Sequence, residues 1–263
     1  MPVVSAAVCP HPPLLVPEVA SGAASELDDL RAACLAAIEP LSAADKVLVI
    51  GSTAPRRFTD GASGGSVGGF GGYDSSASES FGAYDGAAGG AFAVYDGAAG
   101  GSFGAYGAPG VRVGIGDPVL PLSLAMGAWL IEQTKAADLP RSYLSVPTDT
   151  PPERCLELGR EIAAGNDRIG LLVMGDGSAR RSEHSPVHLH PRAEIFDTTV
   201  ANALHHADSA VLAALDPDLA ADLQAAGRAP WQVLAGALET GLSGNLTYHS
   251  APYGVGYLVA TFT

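Results

Sequence analysis

Val3-Val4-Ser5-Ala6-Ala7-Val8-Cys9-Pro10-His11-Pro12-Pro13-Leu14-Leu15-Val16-Pro17 is the stretch on which the fold turns. Its apolar run, Val3 to Val8, reads as the first buried strand of the chain. His11 follows at the strand's carboxyl end, with one proline before it and two after it. Open α/β sheets place their ligands at that end of their strands. Proline fixes φ and removes an amide donor, so the loop is stiff and His11 is aimed.

Further strand-like runs follow at Lys46 to Gly51, Val111 to Ile115, Ser142 to Val146 and Ile169 to Met174. They alternate with helical patterns at Ser25 to Leu41, Leu120 to Ala136 and Pro151 to Ala164. Such alternation predicts an α/β domain with a mostly parallel sheet and helices on both faces. Leu27, Leu30, Cys34 and Ile38 give the first helix its apolar stripe. Thr150, Pro151 and Glu153 have the spacing of a capping box with proline at the first helical position. Helices are also expected at Arg192 to Ala207 and Ser209 to Ala226, with another opened by Pro230-Trp231. Asn245 to His249 and Gly254 to Phe262 are expected to close the sheet as an antiparallel pair.

One segment breaks the pattern: Gly61 to Gly110, built of Gly, Ala, Ser, Asp, Phe and Tyr. Phe70, Phe81, Phe92 and Phe103 recur at a step of eleven, and so do Tyr73, Tyr84, Tyr95 and Tyr106. The units Phe81 to Ala91 and Phe92 to Ser102 are nearly identical, which points to duplication of one loop. Evenly spaced aromatic residues can mediate self-association, giving a homo-oligomer. A flexible glycine-rich excursion is the plainer alternative, because loop closure entropy grows slowly with length. The expected organisation is one domain over residues 1–263 with this repeat, 61–110, inserted in it.

The chain has 263 residues, 47% of them hydrophobic, enough for a full core. Its formal charge of -14 argues against nucleic acid or an anionic membrane as partner, because a phosphate-binding face needs clustered Lys and Arg. Three cysteines, Cys9, Cys34 and Cys155, form neither a disulfide framework nor a paired Cys-x-x-Cys site. A reduced cytoplasmic setting is therefore expected. The apolar start has no basic residues before it and is broken by proline, so neither a secretory signal nor a membrane span is expected.

Asp176 and Ser178 follow the strand Ile169 to Met174 and would face the same crevice as His11 if the two strands are neighbours. Arg56 or Arg57, after the second strand, would let that crevice take an anionic small molecule, since a guanidinium matches a carboxylate or phosphate bidentately. Equally, these arginines can simply solvate the start of the insertion. Ser178 as a nucleophile is the weaker reading, because Gly175-Asp176-Gly177-Ser178-Ala179 lacks the Gly-x-Ser-x-Gly elbow. His184, His188 and His190 form a further cluster, read either as a metal pair, His188-x-His190, or as a solvated loop.

Five motifs, in order, carry a family resemblance: Cys9 to Pro17; Met174 to Ser178; Pro191-Arg192-Ala193-Glu194 with Phe196-Asp197; Arg228 to Gln232; and Ala251 to Tyr257. With them the chain resembles the catalytic, LigB-like subunit of class III extradiol ring-cleavage dioxygenases, in an actinobacterial branch. The resemblance implies an α/β core, a non-haem Fe(II) held by two histidines and a glutamate, and a further histidine acting as acid/base on a catechol. Two histidines and one carboxylate leave iron open positions for oxygen and a bidentate diol. His11 matches the first ligand. The second histidine would follow the second strand, where the chain reads Gly51-Ser52-Thr53-Ala54-Pro55-Arg56-Arg57. The acid/base histidine would stand beside Ser178, where the chain has Ala179. The carboxylate would fall near the closing strands, with Glu239 the closest acid and Asn245 a candidate for the aligned position.

The resemblance points to His11 and Glu239 as metal ligands, and the candidate site is completed by Asp176 and Ser178 as catalytic residues and by Thr53, Arg56 and Tyr253 in the substrate crevice. It implies a dioxygenase-like oxidoreductase with a degenerate Fe(II) site and a small, aromatic substrate or ligand. A metal-free binding relative and an assembly protein built on the repeat are the alternatives.

Overall fold

A computed structural model describes residues 3–54, 92–183, 185–238 and 241–263. Its strands are β1 (Val3–Cys9), β2 (Lys46–Thr53), β3 (Ala93–Tyr95), β4 (Gly101–Phe103), β5 (Ala108–Val113), β6 (Arg141–Pro147), β7 (Ile169–Met174), β8 (Gly244–Ser250) and β9 (Tyr257–Phe262). Seven of them form one sheet in the order β3-β6-β2-β7-β1-β9-β8. The inner four, β6, β2, β7 and β1, run parallel; β3 and β9 flank them antiparallel, and β8 pairs antiparallel with β9 at the edge. Those inner strands are the near-continuous apolar runs of the sequence, as strands covered on both faces must be. Every residue of β7 is buried.

The helices are α1 (Pro17–Ala20), α2 (Asp28–Ile38), α3 (Leu122–Ile131), α4 (Pro152–Ala163), α5 (Ala193–His205), α6 (Ser209–Ala213), α7 (Pro217–Asp222) and α8 (Arg228–Ala237). One core lies between the sheet and α2 with α3, around Cys9, Val49, Leu124 and Met174. A second lies on the opposite face, where α4, α5 and α8 cover Val8, Ile50, Val173 and Leu258. Helices α4 and α8 cross at glycine: a Cβ on Gly159 would lie 2.1 Å from the Val233 carbonyl oxygen, and one on Gly236 2.2 Å from that of Leu156. Only bare backbone allows so close an approach.

The expected α/β architecture is present, with four differences of detail. Val111 to Ile115 supplies no strand of the main sheet; β5 pairs with β4 in a separate two-stranded ribbon, and Ile115 is almost fully exposed. The capping box does not form: Thr150 Oγ1 donates to the Pro147 carbonyl instead, and α4 starts one residue later with Pro151, which has no acceptor, as its cap. Ser209 to Ala226 is two helices, because Pro217 needs a new start and Asp216 caps it by accepting from the amides of Asp218 and Leu219. Helix α8 begins at Arg228, ahead of Pro230.

The later part of the repeat belongs to the body of the fold. Strand β3 extends the sheet beside β6, and Phe103 is completely buried in the core under α2 and α3. Repeat units one and two, Phe70 to Ala91, lie outside the described residues.

Candidate functional site

Strand register builds a row of side chains at the carboxyl end of the sheet. Cys9 pairs with Met174, and the Gly175 amide donates to the Cys9 carbonyl at 2.9 Å. Two residues further on, His11 stands beside Asp176. Gly51 also pairs with Met174, which sets Thr53 on the other side of Asp176. Antiparallel pairing of Val8 with Ala260 brings Tyr257 level with His11. Side chains two apart in a strand share a face, and Cys9, Met174 and Val259 all face α2 and α3. The row Tyr257, His11, Asp176, Thr53 therefore sits on that face, over those three side chains.

The proline-rich loop holds His11 as its sequence demands. Residues Pro13–Leu15 form a single 3-10 turn, and Arg31 Nε, from α2, donates to the Leu15 carbonyl at 2.9 Å. The His11 amide donates to Asp176 Oδ1 at 2.8 Å, and its ring Nδ1 lies 3.6 Å from the same oxygen. That ring nitrogen is buried and has no hydrogen-bond partner among the described residues. Tyr257 is almost fully buried. Burial first, and the negative charge of Asp176 second, push its phenol well above the ordinary tyrosine range. It is therefore a neutral hydroxyl, able to donate or accept.

Ser178 and Asp176 part company. The Ser178 hydroxyl is completely buried, donates to the Leu223 carbonyl at 3.2 Å and accepts from the Arg180 amide at 3.1 Å. Its amide donates to Asp197 Oδ1 at 2.8 Å. Ser178 thus anchors the loop after β7 and is not presented as a nucleophile. Asp197, fully buried on α5, accepts from Arg181 Nη1 at 2.9 Å as well. Burial raises the Asp197 carboxyl above its ordinary value, and the Ser178 amide and the Arg181 guanidinium offset part of that rise. His249 faces this cluster, on the other side of the sheet from His11, and desolvation lowers its basicity.

The remaining candidates are scattered. Tyr253, in a left-handed conformation at φ 60°, donates its hydroxyl to Glu26 Oε2 at 2.7 Å and is exposed. Asn245 pairs with Thr261, five residues before Ser250, the partner of Tyr257. That puts Asn245 roughly 15 Å down the strand from the row, out of reach of His11. His190 uses both ring nitrogens, one accepting from the Arg192 amide and the other 3.2 Å from Asp222, while His188 is exposed. Arg56, Arg57, His184 and Glu239 lie outside the described residues.

Among the described residues, the donor set around His11 does not make up a two-histidine, one-carboxylate iron centre. One imidazole and one carboxylate stand together, and the neighbouring positions are Thr53 and Tyr257, oxygen donors that ferrous iron does not prefer as sole complements. Among the described residues, no three His, Cys, Asp or Glu side chains are grouped to hold a metal ion. Sequence reasoning missed Tyr257. Counting back along β9 from Ala260, the partner of Val8, would have found it. No helix among the described residues is long and apolar enough to cross a membrane.

No family model matches the chain, and no curated protein matches it. Among solved structures, an uncharacterized protein from Escherichia coli K12 is similar over 98% of this chain and 99% of its own, at a TM-score of 0.52 and 14% sequence identity. At that identity the likeness concerns the fold alone.

Proposed function

We propose that the chain is an extradiol-dioxygenase-like protein of the LigB type whose metal site is degenerate, and that its strand-end crevice binds a small hydroxyl-bearing molecule, aromatic by the resemblance, without cleaving it. The observation that carries this reading is the row itself. His11 Nδ1 has no hydrogen-bond partner among the described residues, and Asp176 offers a carboxylate beside it. Two adjacent hydroxyls of a diol can donate to this pair. The neutral phenol of Tyr257 can donate to a ligand oxygen in return. Ring cleavage needs a redox metal with open positions, and the one histidine and one carboxylate that stand together among the described residues are too small a set to hold it with useful affinity.

Iron analysis of protein purified without chelators, combined with oxygen uptake in the presence of catechol, tests the reading. Iron well below one per chain and no uptake are expected. One iron per chain with catechol-dependent uptake would refute it.

A further inference from the structure

We propose a second binding site, for a small organic oxyanion, at the amino end of the sheet, remote from His11. An open cleft of about 470 Å³ lies where the end of the repeat meets the sheet and α3, and Arg112, Arg141, Glu132, Ile115, Gly97 and Gly114 line it. Clefts of this size are in the range that takes small molecules. Arg141 opens β6 and Arg112 lies on β5, so two of the chain's few cationic groups converge here in a molecule of formal charge -14.

Neither guanidinium is saturated by its neighbours. Arg112 is exposed and has no ion-pair partner among the described residues. Arg141 donates through Nη2 to the Ala137 carbonyl at 3.2 Å, but its Nη1 is buried without a hydrogen bond. Glu132 Oε1 approaches that nitrogen only to 3.6 Å and already accepts from the Gly114 amide at 3.1 Å. Glu132 pairs with Arg141 and Asp96 caps the turn beside Gly97 by accepting from the Ala98 amide, which leaves Arg112 as the cation at the cleft open to an anion. A carboxylate or phosphate matches Arg112, whose exposed guanidinium fork presents parallel donors, with the Arg141 charge beside it. Ile115, almost wholly exposed at the rim, would seat the organic part. The cleft depends on the repeat's glycine: a Cβ on Gly97 would lie 2.5 Å from the Arg141 carbonyl oxygen, so the turn that walls the cleft closes on Arg141 only with glycine there.

Calorimetric titration of the full chain with phenyl phosphate and, separately, benzoate tests the site and tells which oxyanion it prefers. Saturable millimolar or tighter binding of at least one probe is expected. It should weaken about tenfold in Arg112→Gln, the loss of one charge-assisted contact. Glu132→Gln, which removes the competing charge but keeps an acceptor for Gly114, should tighten it several-fold, a gain that misfolding cannot produce. His11→Ala should leave it unchanged, which separates this site from the strand-end crevice. No saturable binding of either probe, binding indifferent to Arg112→Gln and Glu132→Gln, or binding lost in His11→Ala would overturn the proposal.

Discussion

The His11 amide and the Asp176 carboxylate are joined by a 2.8 Å hydrogen bond across the β1 and β7 strand ends, 165 residues apart in sequence. Asp176 therefore has two duties: it satisfies a backbone donor in a partly buried loop, and it places a carboxylate 3.6 Å from the His11 ring. The two can be separated. Asp176→Ala leaves the His11 amide without its acceptor and should cost about 1–2 kcal/mol of stability. Asp176→Asn keeps an oxygen for that amide and should cost clearly less while still removing the charge. Urea denaturation of the three proteins reads the difference, and equal losses for both variants would contradict it.

In the proposed site Tyr257 supplies a hydroxyl from strand β9. Tyr257→Phe should change stability by under about 1 kcal/mol but weaken binding of a catechol probe about five- to tenfold, the loss of one hydrogen bond. Unaltered affinity would remove Tyr257 from the site.

Asp197 sets a pH dependence whose sign is fixed by its burial. Its folded-state value is raised above the ordinary 3.8, so the folded chain keeps a proton that the unfolded chain has released. The stabilisation from this group is complete below the unfolded value and is lost as pH rises through the folded one. Asp197→Asn, always neutral, lacks that slope. The stability of the natural chain relative to the Asn variant should fall over the window that opens at the ordinary value of 3.8 and runs upward in pH, measured by urea denaturation at each pH. A relative stability that rises over this window would contradict the sign.

The α4–α8 crossing leaves no room for a methyl group. Gly159→Ala and Gly236→Ala should each destabilise by about 1–3 kcal/mol, the cost of overpacking, and lower the thermal midpoint. A control at Gly22, where an added Cβ meets nothing within 4 Å, should show no comparable loss.

The sheet was legible because β1, β2, β6 and β7 are continuous apolar runs, and parallel strands buried on both faces allow little else. The ribbon was not. Val111 to Ile115 has the composition of a strand, but Arg112 and Ile115 at its end are exposed, and only the partner β4, hidden in the repeat, shows where it pairs. Strand β3 escaped for a similar reason: three residues, Ala93 to Tyr95, within a low-complexity stretch carry no periodic signal. Thr150 misled because its hydroxyl found a nearer acceptor in Pro147, a competition that spacing alone does not reveal. At the site, His11 and Asp176 came from strand-end logic, which is local. Tyr257 and the inward turn of Ser178 depend on register and on Leu223, contacts 45 residues or more apart in sequence, and no local pattern encodes them.

Titration of the chelator-treated chain with 4-nitrocatechol, followed by absorbance, is the most direct test of a crevice that binds without iron. The row of Tyr257, His11, Asp176 and Thr53 predicts saturable binding at one site per chain, with the same affinity before and after Fe(II) is added, and weaker binding in His11→Ala and Asp176→Asn. Binding that appears only after Fe(II) is restored would contradict the account.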